Sequence, residues 1–518
     1  MSKLVDISKQ LLTEKGISPE SEKTIKVNES VGQAAFYYEK LRNSLDWQDE
    51  HLFLKNAIKR ILKRRVYLSI KQDNTARILL HELVWAKYFP NESIPVTYTD
   101  EIAAILRKYN YLRKSVASSK RSSKITEIIV GLAACEIEEF LRPSPAQKNY
   151  ISFTANHISS NLKLSENEIT KEQLDTKINL AVLRELFKAD LDQLRYYLIK
   201  NQFSSWPRVS KKDIKYFGEN FDKITDLANN QIFDPQSYKL QRYVKKNIPT
   251  FRIIWEIISY SREDQNLLKD ELALESVAHE IIAKRNKNIH SRVLRSVLRG
   301  IIFIFLTKII LALIIEYPYE LKYLGEVNYM ALSINILLPP LVMLVIGAFI
   351  KVPGRKNTRV LVGQVVEVVT KDKYIKDEAF TLNKKRSGSY FLFNIFYLIS
   401  SMAVLTLTVW GLLALNFNVI SIALFFFFVS LVSFLSFRIS GIAKELEVRK
   451  GDDSIIAGIF NFIFLPFVYI GKILSDQWSN YNPTLWFWDF IIEAPFKTIM
   501  SLFESWISFV REKREDFE

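Results

Sequence analysis

His81-Glu82-Leu83-Val84-Trp85 comes within one residue of the helix with which zinc peptidases hold their metal. In that motif two histidines four apart share a helix face, and the glutamate between them acts as base. Trp85 stands where the second histidine is required, so no zinc site is expected. The five histidines, His51, His81, His157, His279 and His290, show no ligand spacing. Cys135 lies in the apolar stretch LAACEIEEFL and is expected to be a small core residue, not a nucleophile. Gly451-Asp452-Asp453 has the order of a polymerase tripeptide but follows an apolar run, without the strands that motif needs. No GxxxxGKS/T, GxGxxG or GxSxG is present. The residues therefore name no catalytic, cofactor-binding or metal-binding site, and a non-enzymatic function is expected.

Lys308 is the exception. It falls inside an apolar run, where a lysine costs about 2.5–3.5 kcal/mol on insertion scales and marks a polar path or partner. Its stem can also snorkel to the nearer interface, the reading preferred here over interhelical polar packing or a transport role. No acid lies in the other apolar runs to pair with it, and the nearest is Glu316, two turns along.

The elements that must position these residues are helices. Only 15 of 518 residues are glycine, less than half the typical usage of roughly 7%, which argues against tight hairpins and phosphate loops. The mean hydropathy of +0.03 averages two unlike halves: residues 1–295 are polar and lysine-rich, whereas 300–437 hold long apolar runs. The single cysteine excludes an intrachain disulfide and suits a reducing compartment.

Four runs reach the length of about 20 residues that crosses a bilayer: Gly300–Tyr317, Tyr329–Ile350 with the pair Pro339-Pro340, Tyr390–Leu415 and Val419–Phe437. Asn416, Phe417 and Asn418 separate the last two and predict a tight helical hairpin. Basic clusters at Lys284–Arg299, Lys351–Arg359, Lys384–Arg386 and Arg438–Lys450 all fall on one side of these spans, which the positive-inside rule makes cytosolic. Most of the net charge of +15 is explained that way, and nucleic acid is an unlikely partner. MSKLVDISKQ lacks the apolar core of a signal peptide, so the first span is expected to serve as insertion signal.

The expected fold is all-α: a helical cytosolic N-terminal region followed by a polytopic membrane domain. Residues 1–29 are expected to be a mobile tail, 30–142 and 143–296 two helical regions divided at Arg142-Pro143-Ser144-Pro145, 297–437 the membrane domain, and 438–518 re-entrant or interfacial helices. Asp46 is placed to cap a helix with Leu54, Ile58, Ile61 and Leu62 on one face and Lys55, Lys59, Arg60, Lys63 and Arg64 on the other. That basic face is read as solvated, with anionic lipid or nucleic acid as alternatives. Lys171–Lys200 is expected to be one helix, and Ile248-Pro249 a break between helices. Pro466 and Lys472 argue that 455–474 is re-entrant. Trp486, Phe487 and Trp488 suit an interface, and Phe496–Arg511 is a helix expected to lie on the cytosolic membrane face, with packing on the cytosolic region as the alternative.

LPPLVMLVIGAFIKVPGRKNTR, FIIEAPFKTIMSLFESWISFVREKRE and FYYEKLRNSLDW resemble segments of large, uncharacterised membrane proteins of candidate-phylum bacteria. The likeness covers parts of both halves; it implies a bacterial cytoplasmic (inner) membrane and no activity. The leading expectation is a membrane-anchored scaffold that binds the bilayer and unknown cytosolic proteins, with homo-oligomers possible. The alternative is an oligomeric channel or transporter using the Lys308 span.

Overall fold

The computed structural model describes residues 2–13, 23–45, 50–67, 72–116, 123–160, 162, 170–203, 206–260, 265–372, 389–448, 455–481 and 494–515. Asp46, Lys384–Arg386, Gly451–Asp453 and Trp486–Trp488 lie outside them. The described chain is helical, and its extended pairing is one isolated bridge between Thr24 and Pro95.

In chain order the helices are α1 (Ser2–Thr13), α2 (Glu29–Leu45), α3 (Phe53–Tyr67), α4 (Gln72–Trp85), α5 (Tyr98–Ser115), α6 (Ser123–Leu141), α7 (Pro145–Ser159), α8 (Lys171–Leu186), α9 (Leu191–Gln202), α10 (Lys211–Glu219), α11 (Phe221–Phe233), α12 (Pro235–Tyr260) and α13 (Glu271–Leu311). After two π-helical turns around a short α14 (Tyr317–Tyr319) follow α15 (Tyr329–Phe349), α16 (Arg355–Lys371), α17 (Ser389–Ala414), α18 (Val419–Ala443), α19 (Ile455–Tyr481) and α20 (Ala494–Glu515).

Two large cores organise them. The first gathers Ile25 and Val27 with α3–α6, and adds Tyr196, Ile199, Trp206, Phe217 and Phe221 from farther along the chain. The second joins α1, α7, α8, α12, α13 and α16, and runs without a gap into Ile304, Met343, Phe428 and Val432. The Arg142–Pro145 segment separates α6 in the first core from α7 in the second, with Pro145 at the start of α7 where its missing N–H costs nothing. The division at that point is not clean, because α9 and α10 return to the first core.

Several expectations are corrected here. Residues 2–13 form an amphipathic helix, with Leu4, Ile7 and Leu11 buried in the second core, where a mobile tail was expected. Lys171–Lys200 is two helices: Lys188 takes a left-handed φ of 53°, and Asp190 starts α9 in a capping box with Gln193. Pro249 does not divide its segment; it lies buried inside α12, whose neighbours α8, α13 and α16 hold the helix together. Pro339 and Pro340 likewise sit buried inside α15. Tertiary packing overrides the local cost of proline in both places.

Among the described residues, four helices are long and apolar enough to cross a membrane: the α13 continuation as far as Tyr323, α15, α17 and α18. α13 is a single helix from Asp270, whose carboxylate caps Leu272 and Ala273, through the basic stretch and into the first apolar run. Gly300 and Val297 of α13 meet Met343 and Gly347 of α15, so the two run antiparallel. Asn418 caps α18 and Asn416 turns with φ of 57°, closing the expected α17–α18 hairpin. α17 is largely exposed, with Leu412 buried and Val404 and Leu405 half-buried against the same cluster. α19 is one helix through Pro466, and its apolar part, Phe462–Ser475, is shorter than the four spans. It lies along α18: Phe467 stacks on Phe426, and a Cβ at Gly471 would strike the Ser430 carbonyl.

Candidate functional site

The lobes contain buried charge that the sequence pattern placed on the surface. The basic face of α3 is buried against acids. Lys55 is wholly buried, with its ammonium on Asp190 and Asp192. Lys59 meets Asp192 at 2.6 Å and Lys63 approaches Glu127. Arg60 pairs with Glu39 at 2.7 Å, and Arg64 with Glu82 at 2.6 Å. Neither the solvated face nor a nucleic-acid or lipid surface describes α3, because its cations are matched internally. The acids reach it because α9 begins at Asp190 and crosses α6 at Gly131, where a Cβ would come within 2.5 Å of Asp192 Cγ.

Cys135 sits beside this cluster, and burial pushes its thiol well above the ordinary range despite the nearby Lys55 cation. It is a buried core residue, as expected from its surroundings. Burial also lifts the Glu138 carboxyl to about 7, against the hydrogen bond it accepts from Gln193. His81 lies in a basin with Lys23, Lys26, Arg77 and Asp100, edge-on to Trp85. Burial and the Arg77 cation hold it below the usual histidine range. Among the described residues no three His, Cys, Asp or Glu side chains form a group that could hold a metal.

One face of the C-terminal helix packs on the first core, as the alternative expectation had it. Phe496 of α20 stacks on Tyr38 at 4.7 Å, and Met500 enters the first core. Lys497 reaches Glu39 at 3.6 Å and Glu82 at 3.8 Å. Burial alone would raise the Glu39 carboxyl, but Arg60 and Lys497 outweigh it and hold the group down at about 2. Trp506, proposed for the membrane face, is exposed on the side of α20 away from these contacts.

A second set of contacts binds the lobes to the spans. Glu445, just past α18, pairs with Arg252 at 2.7 Å and Arg285 at 2.6 Å, with Arg292 at 3.6 Å. Asn357 at the start of α16 donates to Leu446 O and accepts from Val448 N. Leu361, Val362, Val365, Val368 and Val369 of α16 are all buried in the second core. At roughly 1.5–3 kcal/mol per buried aliphatic side chain, this helix is held firmly on α12 and α13.

Lys308 is also corrected. Its side chain does not snorkel: it is wholly buried, with Nζ 3.6 Å from Glu316 Oε2 and 5.1 Å from the Phe428 ring centroid. Eight residues of α-helix would leave Glu316 about 80° around from Lys308. The π turn at Ala312–Glu316 inserts about one residue into that count and returns the acid to the lysine's face. Nothing in the residue pattern announces a π turn, so the pairing was not legible beforehand. Asn335 and Ser421, which hold Glu316 from α15 and α18, were missed for the same reason. No family model matches the chain, and no curated protein or solved structure matches it either.

Proposed function

We propose that the protein is a scaffold anchored in the bacterial cytoplasmic membrane, its two helical lobes held at the cytosolic face by four spanning helices. The observation that carries this reading is the second core, continuous from Leu4 in α1 to Phe428 in α18 and threaded by α13. With α16 and Glu445 folded back onto it, the platform keeps one orientation to the bilayer, which a flexible tether would not provide. The positive-inside rule supplies the sidedness. An outward face for partners is offered by Leu227 of α11, 53% exposed, beside the exposed Phe233–Tyr238 ring pair.

The test is a photo-crosslinking residue at Leu227 in intact membranes. A defined, saturable set of crosslinked proteins supports the scaffold. Crosslinks identical to those from the exposed control position Lys212 overturn this face as its binding surface. A channel or transporter is the second reading, favoured by the pairing of Lys308 inside the bundle. Since α17 contributes little to that bundle, a pore would need several copies. Loss of ion flux on Lys308→Leu in liposomes would favour it.

A further inference from the structure

Where α13 ends among the spans, three ionisable side chains are enclosed together. Lys308 and Glu316 are wholly buried and Glu320 nearly so. Glu316 Oε1 accepts from Asn335 Nδ2 at 2.5 Å and from the Ser421 hydroxyl. Asn335 Nδ2 also donates to the Ser421 carbonyl at 3.2 Å. Glu320 accepts from Asn418 Nδ2 at 2.6 Å and from the Asn328 backbone N–H at 3.0 Å. These are the caps of α18 and α15, so Glu320 stands at the end of the bundle that carries the α17–α18 hairpin, and Lys308 lies deeper.

Two features point beyond a structural ion pair. The Lys308–Glu316 separation of 3.6 Å is longer than a hydrogen bond. Lys308 Nζ, Glu316 Oε2 and Asn335 Oδ1 are all buried without a hydrogen-bond partner, on three side chains in contact with one another. Buried polar atoms left so are rare and call for a specific explanation. Charge supplies the second feature. Two carboxylates and one ammonium sum to one negative charge in an apolar shell, where an uncompensated charge is very costly. The facing helices supply no counter-ion. Tyr329 and Arg438 are the ionisable residues of α15 and α18: Tyr329 follows Asn328 at the Glu320 end and supplies no cation, and Arg438 stands toward the opposite end of α18. On the neighbouring turn, Lys322 is exposed with its ammonium over the Tyr323 ring.

We propose that Glu316, Glu320 and Lys308 form a proton-binding site between the spans, loaded from the hairpin end. A proton from solvent water binds the Glu320 carboxylate, giving the neutral acid. It passes to Glu316, one helical turn deeper, and restores the Glu320 carboxylate. With one proton bound the cluster is neutral, and Lys308 remains the counter-charge of whichever carboxylate is ionised. Both acids flank π turns, at the end of Ala312–Glu316 and the start of Glu320–Leu324. Such turns recur at functional sites. This goes beyond the scaffold reading and does not depend on it, since partner crosslinking and proton binding are measured separately.

The test is infrared difference spectroscopy of the full chain in liposomes of phosphatidylethanolamine and phosphatidylglycerol as the pH is stepped. A carboxylic-acid carbonyl band should appear on acidification, vanish or split in Glu316→Gln and Glu320→Gln, and move to higher pH by at least one unit in Lys308→Met. That move is a tenfold or greater gain in proton affinity, because removing the ammonium leaves two carboxylates competing. A band unchanged in both glutamine variants, or no titrating band, overturns the proposal. Glu316→Gln keeps the oxygen that Asn335 and Ser421 bind, so it should fold; if Lys308→Met does not, the glutamine variants still decide.

Discussion

Lys55 and Lys308 are both wholly buried lysines, yet they keep different company. Lys55 lies between Asp190 and Asp192, beside Lys59, which shares Asp192, in a layer where three helices meet. Lys308 has one carboxylate beyond hydrogen-bond distance and the face of Phe428. The lobe cluster is rich in partners and holds α3, α6 and α9 in register. The span cluster is sparse and retains unmatched hydrogen-bonding capacity. A buried charge with surplus partners specifies architecture; one with a deficit is available for binding.

If that contrast is right, breaking the lobe cluster should cost the most stability. Lys55→Met leaves two carboxylates facing an apolar side chain, and should lower the unfolding free energy in detergent by about 3–5 kcal/mol. A loss below about 1 kcal/mol would show that α3 is not held by its cations. Glu445→Ala removes the shared partner of Arg252 and Arg285 and should cost about 2–3 kcal/mol. Hydrogen exchange should then quicken in α16 and at the end of α18 while α3–α6 keep their protection. Lys497→Ala should cost less, about 1–2 kcal/mol, because Arg60 and Arg64 still neutralise Glu39 and Glu82. Its signature is faster exchange confined to 494–515.

The smallest effect is a pH slope. The Glu138 carboxyl is raised from 4.5 to about 7, so between those values the folded state binds more protons than the unfolded one and stability falls as pH rises. Glu39, held down at about 2, acts oppositely: its contribution is complete above 4.5 and is lost as pH falls toward 2. Glu138→Gln should flatten the fall between pH 4.5 and 7, raising stability at pH 8 by about 1 kcal/mol once solvent screening is discounted. An unchanged slope in urea titrations across that window would reject the assignment.

Much of the helical architecture could be read from the residues, for identifiable reasons. The four apolar runs and the Asn416–Asn418 hairpin each rest on local pattern. The failures were non-local. The α3 cations read as a solvated face because their acids come from α2, α4, α6 and α9. Pro249 reads as a break because the packing that retains it is remote in sequence. The candidate site depended on a π turn, which shifts Glu316 onto the face of Lys308 and has no signature in residue type. One local signal was present and unread: Asp190 with Gln193 three residues on, a capping box that ends the presumed long helix.

The central claim is that lobes and spans form one body, and an interspin distance tests it most directly. Spin labels at Leu227 in α11 and Phe349 at the end of α15, both exposed, should give a single narrow distance distribution in liposomes by double electron–electron resonance. Glu445→Ala should broaden it. A broad or multiple distribution in the unmodified chain would mean that the lobes move freely on the membrane helices, and would contradict the account.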